Sequence, residues 1–219
     1  MFSTRVGGVS EAPYDTLNLG RLTGDDASHV AENRRRLAAE AGTQSALLRF
    51  GRQVHGPVVR RAGGQRAPGD GVWSDTPGEP LLVFAADCLP VALVRANGAR
   101  PAIAALHVGW RGLLAGIVEA AASALGGGRF AAVIGPGIGP CCYEVGEDVA
   151  APFRARFGSA VFGNARLDLW SVTEQVLRGA GAASVSRIDL CTACNPELFF
   201  SHRRDGRETG RQGLIAYVT

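Results

Sequence analysis

Four histidines and five cysteines are all the imidazoles and thiols available to this chain of 219 residues. Three of them stand in similar surroundings. His55 lies in QVHG, Cys88 in ADCLP and His107 in HVGWRG, each at the edge of an apolar run and beside turn-forming residues. A metal centre needs ligands that project from the ends of rigid elements. Two imidazoles and one thiolate would give a zinc ion three protein ligands and leave the fourth position for water or substrate. Spacing alone does not establish such a centre, because the three residues are far apart in sequence. Buried, hydrogen-bonded histidines beside an inert core cysteine are the competing reading.

The remaining candidates carry weaker patterns. Cys191 and Cys194 form C-x-x-C in CTAC, but no second pair stands at zinc-knuckle distance, so they read as buried thiols rather than a structural zinc. Cys141 and Cys142 are neighbours in IGPGIGPCCYEVG, and in an extended chain only one of two neighbours faces a given side. Gly135, Gly137 and Gly139 in that loop read as turn formers rather than as a phosphate cradle. Asp87, next to Cys88, suits acid–base work or a buried hydrogen bond equally well. For anion binding, guanidinium forks are offered by Arg203, Arg204, Arg207 and Arg211 in RRDGRETGRQ, and by Arg5 in FSTRVGG. Arg111 ranks above the loop arginines because it follows His107 by four residues, at the start of the expected helix, and adjoins Trp110.

Elements able to hold these residues are readable from periodicity. DDASHVAENRRRLAAEAG, with its acidic start and glycine stop, predicts a helix. Residues 81 to 94 predict two buried strands, or one broken strand, interrupted at Asp87, Cys88 and Pro90. A further buried strand is expected over 101 to 107, followed by one helix running to the Gly126–Gly128 stop, which places His107 at a strand-to-helix junction. Strands are also expected at 130 to 135, 185 to 190 and 213 to 218, and a helix at 168 to 177 capped by Asp168 or Ser171. The loop of residues 194 to 212 is polar and rich in arginine. Strands and helices alternate imperfectly, without repeats or linkers. The expectation is a layered α/β fold with mixed sheets flanked by helices, and one domain over residues 1 to 219.

Composition narrows the chemistry. All 23 basic residues are arginine, so lysine-dependent phosphate loops, pyridoxal chemistry and Schiff-base catalysis are excluded. A net charge of +3 is too small and too scattered for a nucleic-acid surface. No apolar span is long enough for a membrane helix, the opening MFSTRVGG lacks the succession of a secretion signal, and the odd number of cysteines suits a reducing compartment. A cytoplasmic enzyme is expected.

Several runs, FSTRVGGVSEAPYDTLNLG, RQVHG, FAADCLPV, HVGWRGLLAG, IGPGIGPCCYEVGEDV and RRDGRETGRQ, together resemble the laccase-domain family, once called multicopper polyphenol oxidases and associated with purine nucleoside phosphorylase activity. The match runs nearly end to end, in family order. It implies zinc held by His55, Cys88 and His107, which would form the catalytic centre; the arginine candidates rest on the residues themselves, Arg111 at that centre and Arg5, Arg203 and Arg211 around substrate and phosphate. The implied reaction is phosphorolysis of adenosine, inosine or methylthioadenosine to base and ribose 1-phosphate, with adenosine deamination known among relatives. Two departures leave the ligands untouched: Val108 follows His107 where alanine is usual, and Trp73 and Ser74 interrupt the segment before the ADC strand. Copper is the alternative metal. Against a multicopper oxidase, only His29 and His202 remain as further imidazoles and the single methionine is Met1. A cysteine hydrolase or amidase acting on peptidoglycan-type substrates, with Cys88 as nucleophile, is the other reading. Purine nucleosides and phosphate are the expected partners, with no nucleic acid or membrane. Oligomeric state stays open between monomer and homodimer.

Overall fold

The runs 81–93 and 102–108 are too apolar on both faces to lie at a surface, and the fold covers them from two sides. The computed structural model describes residues 1–63, 67–96, 100–163 and 165–219. In chain order its elements are α1 (Ala27–Glu40), β1 (Val59–Arg61), β2 (Gly71–Ser74), β3 (Leu81–Ala85), β4 (Leu89–Arg95), β5 (Ala102–Val108), α2 (Trp110–Leu114), α3 (Ile117–Ala124), β6 (Phe130–Ile134), α4 (Glu147–Phe157), β7 (Phe162–Gly163), β8 (Arg166–Leu167), α5 (Leu169–Gly179), β9 (Ala182–Arg187), α6 (His202–Asp205) and β10 (Gln212–Ala216). Six strands form one sheet in the order β1-β2-β5-β4-β6-β9, while β10 pairs with β3 in a separate ribbon. The inner pairs of the sheet are antiparallel and the outermost pairs, β1/β2 and β6/β9, are parallel. The expected mixed, layered α/β fold is what the chain adopts.

Strand alternation sorts the core into layers. Leu89, Val91 and Leu93 of β4 share one cluster with Leu106 of β5, Leu113 of α2, Ile117 of α3 and Val172 of α5. On the opposite face of the sheet, Ala92, Ile103 and Ala105 meet Leu81, Val83 and Leu214 of the β3–β10 ribbon. The far side of that ribbon, Leu82 and Ile215, packs against Leu37 and Ala38 of α1. Helices, sheet, ribbon and helix therefore stack in turn. Each fully buried leucine contributes about 1.5–3 kcal/mol to this arrangement. α1 starts where Asp26 accepts a hydrogen bond from the Ser28 amide, and α5 where Asp168 accepts one from Ser171.

Three local expectations change. The single helix expected after His107 is two, because Gly116 between α2 and α3 has φ of +92°. α4 was not anticipated, since Pro152 lies within it; the missing N–H falls only about one turn into the helix. The arginine-rich loop contains the short helix α6, capped by Ser201.

At Gly116 an added Cβ would meet nothing closer than the Glu119 carboxylate at 3.7 Å, so only the left-handed backbone resists substitution. Gly116→Ala is expected to lower stability by about 1–2 kcal/mol, while Gly163→Ala, whose Cβ meets nothing within 4 Å, stays near wild type. Urea denaturation of both variants checks this. A Gly116→Ala protein as stable as wild type would show that the α2–α3 joint is not held in that conformation.

Candidate metal centre

Asp70, between the turn residues of APGDGVW, directs the assembly of this region. Its carboxylate accepts hydrogen bonds from three successive backbone amides, Val54 at 3.0 Å, His55 at 2.8 Å and Gly56 at 2.8 Å. The same carboxylate lies 2.8 Å from Nδ1 of His107, and the Asp70 carbonyl accepts from the His107 amide at 2.7 Å. The side chain is fully buried. Burial alone would raise its pKa, but the His107 ring and the amides hold the carboxyl below its ordinary value. One acid thus fixes the loop bearing His55 and the ring of His107. Sequence inspection did not single it out.

With Nδ1 of His107 committed to Asp70, Nε2 is the nitrogen left for a ligand, the arrangement in which a carboxylate orients a metal-binding imidazole. His55 and His107 meet edge to face, their ring centroids 4.9 Å apart. Cys88 joins them from the end of the turn leading into β4, and one ligand atom from each of the three residues lies within 4.8 Å of the others. Burial pushes the Cys88 thiol up, but the neighbouring imidazoles, His107 foremost, bring it down to about 6. Burial likewise lowers His107, yet the Cys88 sulfur and Asp70 raise it to about 9. A thiolate next to two imidazoles is the donor set that suits zinc.

Backbone geometry is bent to this purpose. His55 has φ of 60° and Asp87 has φ of 91°, both in the left-handed region that residues other than glycine rarely occupy. Asp87 is held there by using both carboxylate oxygens as acceptors, from Thr192 Oγ1 at 2.6 Å and from the Arg203 amide at 2.7 Å. Of the two roles open to it in the sequence, this is the buried hydrogen-bonding one. Gly109 leaves room for the centre: a Cβ there would sit 3.0 Å from the Cys88 sulfur and 3.4 Å from Cδ2 of His55.

The arginines divide. Arg211 is partly buried, with its guanidinium within electrostatic reach of Cys88 and Asp87; burial lowers its pKa against their opposing charge. Arg203 stacks over Tyr143 at 5.4 Å and donates to the Cys142 and Glu144 carbonyls. Tyr143, also missed in the sequence, is pushed above its ordinary range by burial and by the Cys88 charge. Arg111 is exposed on the first turn of α2, stacked on Trp110 at 4.8 Å. Arg5 is paired with Asp15 at 3.0 Å and lies over the Phe200 ring. Arg204 grips the Thr192 and Phe199 carbonyls, while Arg207 is exposed.

If Asp70 orients His107, Asp70→Asn should weaken metal binding roughly 10- to 100-fold without unfolding the chain. Competition against a chromophoric chelator, with circular dichroism as the control for folding, measures it. Wild-type affinity in that variant would remove Asp70 from the centre.

A model of the family described as multi-copper polyphenol oxidoreductase laccase matches residues 1–219. The chain is 42% identical over 227 residues to purine nucleoside phosphorylase YfiH of Escherichia coli (strain K12), covering 99% of this chain and 92% of that protein. It is 41% identical over 228 residues to a purine nucleoside phosphorylase of Deinococcus radiodurans, covering 98% and 87%. Among solved structures, hypothetical protein YfiH of Bacillus licheniformis superposes with a TM-score of 0.93 at 30% identity, over 100% of this chain and 91% of that one. Agreement over the whole length, in sequence and in fold, places the chain in the multi-copper polyphenol oxidoreductase laccase family.

Proposed function

We propose that the chain is a zinc-dependent purine nucleoside phosphorylase acting, as one domain, on adenosine, inosine or methylthioadenosine. The observation that carries this reading is the convergence of His55, Cys88 and His107 within 4.8 Å, beside a partly buried arginine. Relatives 42% and 41% identical bear the name of that activity. Bound by the two imidazoles and the thiolate, zinc would supply Lewis-acid polarisation at its open position.

The chain's own residues supply the rest. Phosphorolysis forms a bond from a phosphate oxygen to C1′ of the ribose and breaks the C1′–N9 bond, and the proton carried by the phosphate ends on the departing purine. Arg211 and Arg111 bind the phosphate, and their charge counts for more where burial limits water. Tyr143, held protonated by burial and by the Cys88 charge, keeps its O–H as a donor to the nucleoside. Asp70 and Asp87 hold the surrounding backbone still, so that little reorganisation accompanies the reaction. None of the five cysteines is paired in a disulfide, which suits a reducing, cytoplasmic compartment.

A second reading rests on the line Asp70, His107, Cys88, which has the order of a carboxylate–imidazole–thiol triad. A cysteine hydrolase needs one imidazole beside its sulfur. The second, His55, fits a metal ligand and has no place in that scheme. Alkylation that inactivates the protein while its metal remains bound would favour the hydrolase.

Nucleoside consumption is expected to require inorganic phosphate and to yield ribose 1-phosphate, followed by chromatography of base and sugar products. Inosine as the sole product from adenosine, at a rate indifferent to phosphate, would replace phosphorolysis with deamination. Arg111→Ala and Arg211→Ala are each expected to raise KM for phosphate roughly tenfold to a hundredfold, the loss of one charge-assisted contact. Arg207→Ala should leave it unchanged, and an equal effect from all three would mean that the response reflects general charge.

A further inference from the structure

The four cysteines outside the centre described above come together. Cys141 and Cys142 lie in the loop between β6 and α4, and Cys191 and Cys194 in the loop after β9. All four sulfurs lie within 4.8 Å of one another. Cys194 Sγ is 3.5 Å from Cys141 Sγ and 3.3 Å from Cys142 Sγ. The sequence reading fails at two points here. The partner pair for CTAC is a contiguous one some fifty residues upstream. In addition, the turn in which the Cys142 and Tyr143 amides both donate to the Gly139 carbonyl releases neighbouring cysteines from the extended-chain rule. Cys194 is exposed rather than buried.

We propose that Cys141, Cys142, Cys191 and Cys194 form a second metal site, a closed tetrathiolate centre for one zinc ion that clamps these two loops together. Zinc–sulfur bonds of about 2.3 Å put the sulfurs of a tetrahedron roughly 3.8 Å apart, and the observed separations lie around that value. A polynuclear iron–sulfur cluster would set its own sulfides between the cysteines and spread them further. Disulfide pairing explains the grouping less well, since Cys194 lies almost equally near two partners. A backbone donor also favours a thiolate at Cys191, where the Gly139 amide points at Sγ from 3.2 Å.

Charge and scaffold fit as well. A zinc with four thiolates carries two net negative charges, and α6 sets two arginines against its loops: Arg203 donates to the Cys142 carbonyl at 3.2 Å and Arg204 to the Thr192 carbonyl at 2.8 Å. The loops are already joined where Gly137 bridges Cys191. Both also touch Asp87, through the Ile138 amide at 2.8 Å and Thr192 Oγ1 at 2.6 Å. With all four positions filled by sulfur, the ion has no open site for substrate, so it is structural. It braces the wall that holds Asp87 and, next to it, Cys88.

The full chain, purified without added metal, should contain about two zinc ions by elemental analysis. Cys88→Ala should lose one and keep the other, and Cys194→Ser and Cys142→Ser should each lose one while Cys88 still holds its own. Should the cysteine variants fail to fold, cobalt loaded into Cys88→Ala reads the same question, because a tetrathiolate site gives intense tetrahedral ligand-field and thiolate-to-cobalt charge-transfer bands. A single zinc in wild type, lost in Cys88→Ala and retained in Cys194→Ser, overturns the proposal. So do a Cys88→Ala protein without those cobalt bands, and fewer than five titratable thiols in the denatured, unreduced chain. Loss of the first ion alone would instead bear on the phosphorylase reading.

Discussion

The ion-pair geometry of Asp70 is the constraint on which the candidate active region depends. A carboxylate with no exposure to water is costly unless its lone pairs are filled, and here they are filled by the loop and the ring that must be brought together. Losing any one of these donors leaves the buried carboxylate short of a partner, and losing the carboxylate leaves all of them unpaired. The interaction therefore acts as a unit, and its parts are not expected to behave additively. It also reaches into the sheet, since the Asp70 carbonyl receives the His107 amide and sets where β2 stands against β5.

Strain is placed where this unit needs it. His55 and Asp87 adopt backbone conformations that cost of order 1–3 kcal/mol each, and each is over-determined by hydrogen bonds to a buried partner. The layered core supplies the stability against which that cost is set. β2 to β6 and β10 are buried at most or all positions. The result is a rigid base with a narrow rim of irregular backbone on which the polar chemistry is concentrated, consistent with function residing on loops held by a scaffold.

Much of the scaffold was legible in the sequence because its signals are local. The apolar runs of β3 to β5, the break at Asp87 and Cys88 and the caps of α1 and α5 each lie within a dozen residues. The position of His107 at a strand end follows from the same runs. What was not legible depends on contacts across the chain. Asp70 stands among Pro, Gly and Asp residues that read as an exposed turn, and nothing nearby says that its carboxylate will be buried beside His107. The CC and CTAC pairs look unrelated until β6 and β9 lie parallel and their following loops meet. Gly116 lies inside the apolar run that reads as one helix, and its positive φ divides that run in two. Nothing in the run RRDGRETGRQ says that Arg211 is partly buried within electrostatic reach of Cys88 while Arg207 is exposed.

The outer strands of the large sheet matter to chains other than this one. β1 is three residues long and carries Arg60 and Arg61 at exposed positions. At the opposite border β9 alternates small and polar residues, and its terminal Arg187 is paired with Glu174 at 3.1 Å and Asp189 at 2.9 Å. A three-residue border with two exposed arginines offers a poor template for a strand from a neighbouring molecule. Edge-to-edge growth into fibrils is discouraged at the β1 end, and at the other border the paired Arg187 closes the strand.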